Sequence, residues 1–285
     1  MLFSDVTFAS LALVALLGLC LGSFLNVVIT RLPVMLMQQW RTEARAALEL
    51  SDDIEEPLSL ACPRSRCPRC LTPIAWHDNL PLLGWLKRRG RCANCQGRIS
   101  IQYPLVELAS ALLAVCFCIL HGPTWPALWL YGASLTLLAL AVIDLRTQLL
   151  PDALTLPLLW CGLLYQLLFN PASLDDAVIG ATAGYAVLWA IGRTFYALTG
   201  RDGMGLGDVK LVAALGAWLG WQLLPLVILI AALLGAISGL LIQWRSRHLK
   251  GQPLPFGPSL VVAGGLGLLA GNELLTGYQA LSGLT

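Results

Sequence analysis

Charge is scarce in this 285-residue chain: Lys, Arg, Asp and Glu together make up 12%, against about 25% in a soluble globular domain. With 57% hydrophobic residues and a mean hydropathy of +0.74, a soluble enzyme is excluded and a polytopic membrane protein is expected. The nine cysteines are an odd number in a mostly apolar chain, which argues against a disulfide scaffold. No Lys or Arg precedes the first apolar stretch, Phe8 to Ile29, whereas Asp5 does. That stretch is also longer than the apolar region of a secretory signal. Leu17-Gly18-Leu19-Cys20 makes a poor lipoprotein cleavage box, because Leu19 is too bulky. The stretch reads as a retained first span.

More than half of the charges that do occur lie between residues 31 and 103, with six of the prolines and five of the cysteines. The organisation expected is a first span at 1–30, a polar domain at 31–103 and a membrane core at 104–285. Val34 to Leu50 has apolar residues at helical spacing and reads as a separate amphipathic helix near the bilayer surface. Asp52-Asp53-Ile54-Glu55-Glu56-Pro57 reads as a solvated linker. Further spans are expected near 105–121, 125–144, 153–169, 177–197, 208–221, 225–244 and 255–274. The fold class is therefore all-α, with about eight transmembrane helices and a small cytoplasmic zinc-ribbon-like domain.

In this arrangement all 18 Lys and Arg residues fall on one side, while Asp5, Asp175, Asp176 and Glu273 fall on the other. The positive-inside rule then places both termini outside and the cysteine-bearing domain in the cytoplasm.

Cys67-Pro68-Arg69-Cys70 and Cys92-Ala93-Asn94-Cys95 are two CxxC knuckles separated by 21 residues. Four thiolates at this spacing suit a structural Zn(2+), because four cysteines leave no open coordination position. A redox pair or bound iron is the alternative, and Cys62 stands outside the spacing. A ribbon can bind nucleic acid, but no basic stripe interleaved with aromatics is present. The bilayer explains the arginines more simply, so no nucleic-acid partner is expected.

Acids at membrane depth are costly and mark function by default. Glu107, Asp144, Asp152 and Asp208 are the candidates. Each has a plain structural reading: Asp152 and Asp208 as helix caps, Asp144 as a partner for Arg146, Glu107 as an interfacial group. The topology favours more for two of them. Asp144 ends one span and Asp208 begins another at the same cytoplasmic level. Two carboxylates in a poorly solvated site share a proton, so one activates water while the other protonates an oxygen. Gly205 and Gly207 leave room beside Asp208 for a substrate backbone. Lys210 reads either as an interfacial anchor or as a tuner of the pair's charge.

Gly205-Leu206-Gly207-Asp208 with Val209-Lys210-Leu211, Asp144 with Leu145 to Asp152, Gly22 to Pro33, the paired knuckles and Ile99 to Leu108 together resemble the type IV prepilin peptidases. These are GxGD membrane aspartyl proteases. The resemblance runs from the first span to Leu211; beyond it only Pro255 to Pro258 stands out. It implies Asp144 and Asp208 as the catalytic pair and the bacterial inner membrane as the location. It also implies prepilins and pseudopilins of type II secretion as substrates, with their short basic leaders removed on the cytoplasmic face. The cysteine-bearing domain implies a bifunctional member that also methylates the new N-terminal amine with S-adenosylmethionine. The residues that hold this donor are not derivable: Gly265 to Ala270 imitates a nucleotide-binding glycine motif but lies in an apolar span. The competing reading is a proton- or cation-coupled transporter, which requires acids near the bilayer midplane and inverted repeats.

Overall fold

The computed structural model describes residues 7–50, 58–201, 203–245 and 255–282. Asp5, the acidic run 52–57 and the loop residues Arg247 and Lys250 lie outside the described residues. The chain divides into two units, Met1–Ala127 and Leu128–Thr285.

The first unit is built on two long helices, α1 (Phe8–Ala47) and α3 (Gln102–His121), with a short α2 (Leu83–Lys87) between them in sequence. Thr7 caps α1 by accepting a hydrogen bond from the Ser10 N–H. The separate amphipathic helix expected after Arg31 does not occur: α1 continues unbroken for 40 residues, with Pro33 inside it. The residues after Pro33 are mostly strong helix formers (Met, Leu, Gln, Arg, Glu, Ala), and they carry the helix past the one lost hydrogen bond. α1 and α3 run antiparallel at close range. A Cβ added at Gly18 would lie 2.7 Å from Ala111 Cα, and one at Gly22 would lie 2.7 Å from Glu107 Cα. The contact is tied by Ser110 Oγ donating to the Gly18 carbonyl at 2.6 Å and Asn26 Nδ2 donating to the Tyr103 carbonyl at 3.0 Å. Close backbones joined by small polar groups are what hold helices together in lipid, where apolar burial supplies no net drive.

The second unit contains α4 (Trp125–Thr147), α5 (Asp152–Phe169), α6 (Leu174–Thr199), α7 (Leu206–Arg245) and α8 (Gly257–Ser282). α7 is one helix only by run length, because Gly220 sits at φ 75°, ψ 169° in its middle. Its neighbours show a reversal. Along α8, Gly264 meets Leu215 and Gly267 meets Leu219, so the first arm runs parallel to α8; yet Gly271 meets Leu223 and Gly235 meets Phe256, so the second arm runs back. The φ that turns the chain is one that a side chain resists, and glycine supplies it. Among the described residues, six helices are long and apolar enough to cross a membrane, or seven with the bent α8. The reversal divides α7 near the break between the spans expected at 208–221 and 225–244, and its first arm is short.

The first arm of α7 is the centre of this unit, with Leu211, Val212, Ala214, Leu215 and Ala217 fully buried. It comes close to α6 where Gly216 meets the Gly180 carbonyl with no side chain between them. The reversal leaves the Trp218 carbonyl without its helical partner, and Gln166 Nε2 donates to it at 2.9 Å. Trp218 Nε1 in turn donates to the Leu158 carbonyl at 2.9 Å. A backbone group at membrane depth needs such a partner, since no water competes for it.

Gly216→Ala is expected to destabilise the protein by about 1–3 kcal/mol through overpacking against the Gly180 backbone. Gly132→Ala, where a Cβ meets nothing within 4 Å, is the control. Thermal unfolding in detergent should show a lowered midpoint for the first variant alone.

Candidate active site

Asp144 lies in the last turns of α4 and is 5% exposed, beside the fully buried Ile143 and Leu140. Asp208 lies in the first turn of α7 and is half-buried. The two carboxylates come within electrostatic reach of one another. A third element completes the site. The Gly257 N–H, at the start of α8, donates to Asp144 Oδ2 at 3.0 Å. Asp144 thus faces a helix N-terminus, whose free N–H groups and positive dipole end favour a carboxylate. A Cβ at Gly257 would lie 2.6 Å from that same oxygen. Gly257 was not among the residues read as functional. The one signal for it was Pro255-Phe256-Gly257-Pro258, a glycine between prolines at the start of an apolar run.

The glycines before Asp208 have different tasks. A Cβ at Gly207 would lie 2.8 Å from Leu150 Cβ, so Gly207 lets the start of α7 pack on the loop after α4. A Cβ at Gly205 would lie 3.5 Å from Asp208 Oδ2 and meet little else, so Gly205 keeps the space beside the carboxylate open. Gly203 fits against the Phe195 ring. Lys210 is paired with Asp152: its Nζ donates to both carboxylate oxygens, each at 2.7 Å.

Glu107 belongs to the other unit. It is 7% exposed on α3, and its Oε2 accepts the Leu82 N–H at 2.8 Å, with Ser23 as a second partner. Leu82 occupies φ 55°, ψ −48°, and the Leu83 N–H bonds back to the Pro81 carbonyl at 2.6 Å. This is a tight, strained turn that persists only where neighbours hold it. Arg31 performs a similar task, donating to the carbonyls of Ser59, Leu60 and Pro63 at 2.8, 3.2 and 2.6 Å. Glu107 and Arg31 therefore fasten the cysteine-bearing segment to α3 and α1.

In that segment the four sulfurs of Cys67, Cys70, Cys92 and Cys95 all lie within 4.8 Å of one another. Cys67 and Cys95 are 3.8 Å apart, and Cys70 and Cys92 are 3.9 Å apart. A tetrahedron of thiolates around a metal at about 2.3 Å has edges of about 3.8 Å, so the cluster fits a structural metal. The two knuckles are built alike. Cys67 N–H bonds to the Thr72 carbonyl and Cys92 N–H to the Gly97 carbonyl, and Leu71 and Gln96 take the left-handed conformation. The hydroxyl and backbone of Thr72 draw the Cys70 thiol down to about 6, while its neighbouring thiols and burial push Cys95 up to about 11, so the clustered thiols share their protons. Cys62 stands apart from the cluster. Behind the knuckles, Arg88 and then Lys87 bond Asp78 at 2.6 and 3.3 Å and hold its carboxyl at about 2.

Residues 131–240 match the model of the type IV leader peptidase family, and residues 16–121 match the bacterial peptidase A24 N-terminal domain. The chain is 52% identical to a prepilin leader peptidase/N-methyltransferase of Aeromonas hydrophila, covering 94% of this chain and 93% of that one. Proteins of the same description from Burkholderia pseudomallei and Pseudomonas aeruginosa are 48% and 46% identical. Those alignments cover 96% and 94% of this chain and 88% and 93% of theirs. The chain belongs to the type IV leader peptidase family. No solved structure matches it.

The two family matches fall on either side of the division between the two structural units. The leader peptidase match lies in the unit that holds Asp144 and Asp208, and the A24 N-terminal match spans the four cysteines. The transporter reading finds no support. Asp144 and Asp208 sit at the ends of their helices, away from mid-span, and every relative named above is a peptidase.

Gly257→Ala should drive a methyl group into the Asp144 carboxylate and lower peptidase turnover by at least about tenfold, as misplacement of a reacting group does. A rate measurement on protein with an unchanged thermal midpoint checks this. Purified protein should contain one tightly held metal ion per chain by elemental analysis. Cys92→Ser should lose that ion and make the segment between Cys62 and Arg98 sensitive to protease.

Proposed function

We propose that this multi-pass inner-membrane enzyme cleaves the short basic leader from prepilins and pseudopilins, with Asp144 and Asp208 as its catalytic pair. The approach of these two carboxylates across α4 and α7, beside the gap left by Gly205, is the observation that carries this reading. One ionised carboxylate takes a proton from water, and the water oxygen attacks the scissile carbonyl carbon. The other carboxyl gives its proton to the carbonyl oxygen. Collapse of the resulting diol breaks the C–N bond, the leaving amine takes up a proton, and one water is consumed per leader released. The Gly257 N–H holds Asp144 in place throughout.

Segregation of the basic residues supports a cytoplasmic site and cysteine domain, with both termini in the periplasm. The four thiolates of Cys67, Cys70, Cys92 and Cys95 are proposed to hold zinc, which fixes the segment and takes no part in the hydrolysis.

The family also carries N-methylation of the new terminal amine, for which S-adenosylmethionine supplies the methyl group. The described residues form no strand followed by a glycine-rich turn, and Gly265 to Ala270 lies within α8. A Rossmann-type cradle does not fit the described residues.

Asp144→Asn and Asp208→Asn are each expected to abolish leader release from a purified prepilin, a loss of at least about 10³-fold. Both should insert and unfold as the parent does. Release at the parental rate by either variant removes that residue from the pair.

A further inference from the structure

Asp152 and Lys210 were the two charges near the pair whose role the sequence left open. They close a ring around it. From Asp144 the chain passes through Gln148, a left-handed residue at φ 53° whose N–H bonds the Asp144 carbonyl at 2.9 Å. It continues to Leu150, against which Gly207 packs, and reaches Asp152 as the first residue of α5. Asp152 takes the Lys210 ammonium on both oxygens at 2.7 Å, and Lys210 is two residues from Asp208 on the buried arm of α7. Eight residues of chain and one ion pair thus connect the two acids on one side, and the Leu150–Gly207 contact lies inside the same ring. Asp152 at the first turn of α5 is also favoured by that helix's dipole.

Partly exposed ion pairs usually add little to stability. Here the geometry assigns another task. Lys210 is spent on Asp152, so its charge is not free for the reacting acids, and the two-pronged grip leaves the start of α7 little freedom to slide against the start of α5. We infer that the Asp152–Lys210 pair is a positioning tie that sets the separation of Asp144 and Asp208. This rests on the proposed catalytic pair. Neither residue touches the reacting atoms.

The test is steady-state leader release by the full-length enzyme in detergent, with a purified prepilin, for Asp152→Asn, Lys210→Met, Lys210→Arg and the charge reversal Asp152→Lys with Lys210→Asp. The two neutralising variants should each lose about tenfold in kcat, as a small displacement of a reacting group does. Their KM should stay within about twofold and their thermal midpoint unchanged. Lys210→Arg and the reversal should recover most of the rate, which also covers the case of a neutral variant that fails to fold. Parental kcat in the neutral variants overturns the tie. So does a change confined to KM, which makes Asp152 a reader of the basic leader, or a reversal whose losses simply add. Activity retained by Asp144→Asn would instead overturn the catalytic pair, and that result is separate from these.

Discussion

Helix α7 enters its unit with nothing bulkier than hydrogen at its closest crossing, and the remaining geometry of that unit hangs on this approach. Gly216 against Gly180 brings the first arm of α7 onto α6. In lipid, close backbone contact of this kind is the main source of helix association, because the surrounding acyl chains are as apolar as the side chains. The arm is then short: 14 residues from Leu206 to Leu219 rise about 21 Å. It ends at the Gly220 reversal, and the carbonyl stranded there is supplied by Gln166. With the arm fixed at its far end and its middle, its first turn is placed, and Asp208 with it.

The scarcity of charge has a physical counterpart in how each charge is used. A carboxylate near hydrocarbon is expensive unless a donor meets it. Asp144 has the N-terminus of α8, Glu107 has the Leu82 N–H, and Asp152 has Lys210. Arg31 is satisfied by three carbonyls. Asp208 stands differently. Its carboxylate is met by the Gly205 backbone and lies within electrostatic reach of Asp144, with room left where Gly205 has no side chain. An acid with room beside it, facing another acid held in place, suits the activation of water. Charges with donors on every side suit fastening.

Much of this was legible in the chain. The apolar runs expected at 125–144, 153–169 and 177–197 correspond to α4, α5 and α6 within a few residues, because hydropathy over spanning length is a strong signal. The two CxxC knuckles announced their cluster, since metal-ligand spacing is a local property. Elsewhere local signals misled. The change of composition at Arg31 suggested the end of the first span, but α1 runs on through it and through Pro33, because good helix formers beyond outweigh one missing N–H. The break between the spans at 208–221 and 225–244 was read at Gln222 to Pro225, whereas the reversal is at Gly220, where a positive φ is needed. The strained turn at Leu82 carried no sequence signal, because leucine is an unfavourable residue there and Glu107, which accepts its N–H, is 25 positions away.

The sequence by itself determined the membrane class, the cysteine set and the two acids whose pairing is proposed. Each of these depends on composition, local spacing or the side to which a loop belongs. Tertiary structure alone decided which atoms serve those acids. Gly257 reaches Asp144 across 113 residues of chain, Lys210 takes Asp152 across 58, and Gly207 seats itself on Leu150. The physical reason is common to all three. A glycine's value as a place where atoms approach, and a lysine's choice of partner, depend on what the fold brings within about 3 Å. No periodicity in the chain encodes that distance.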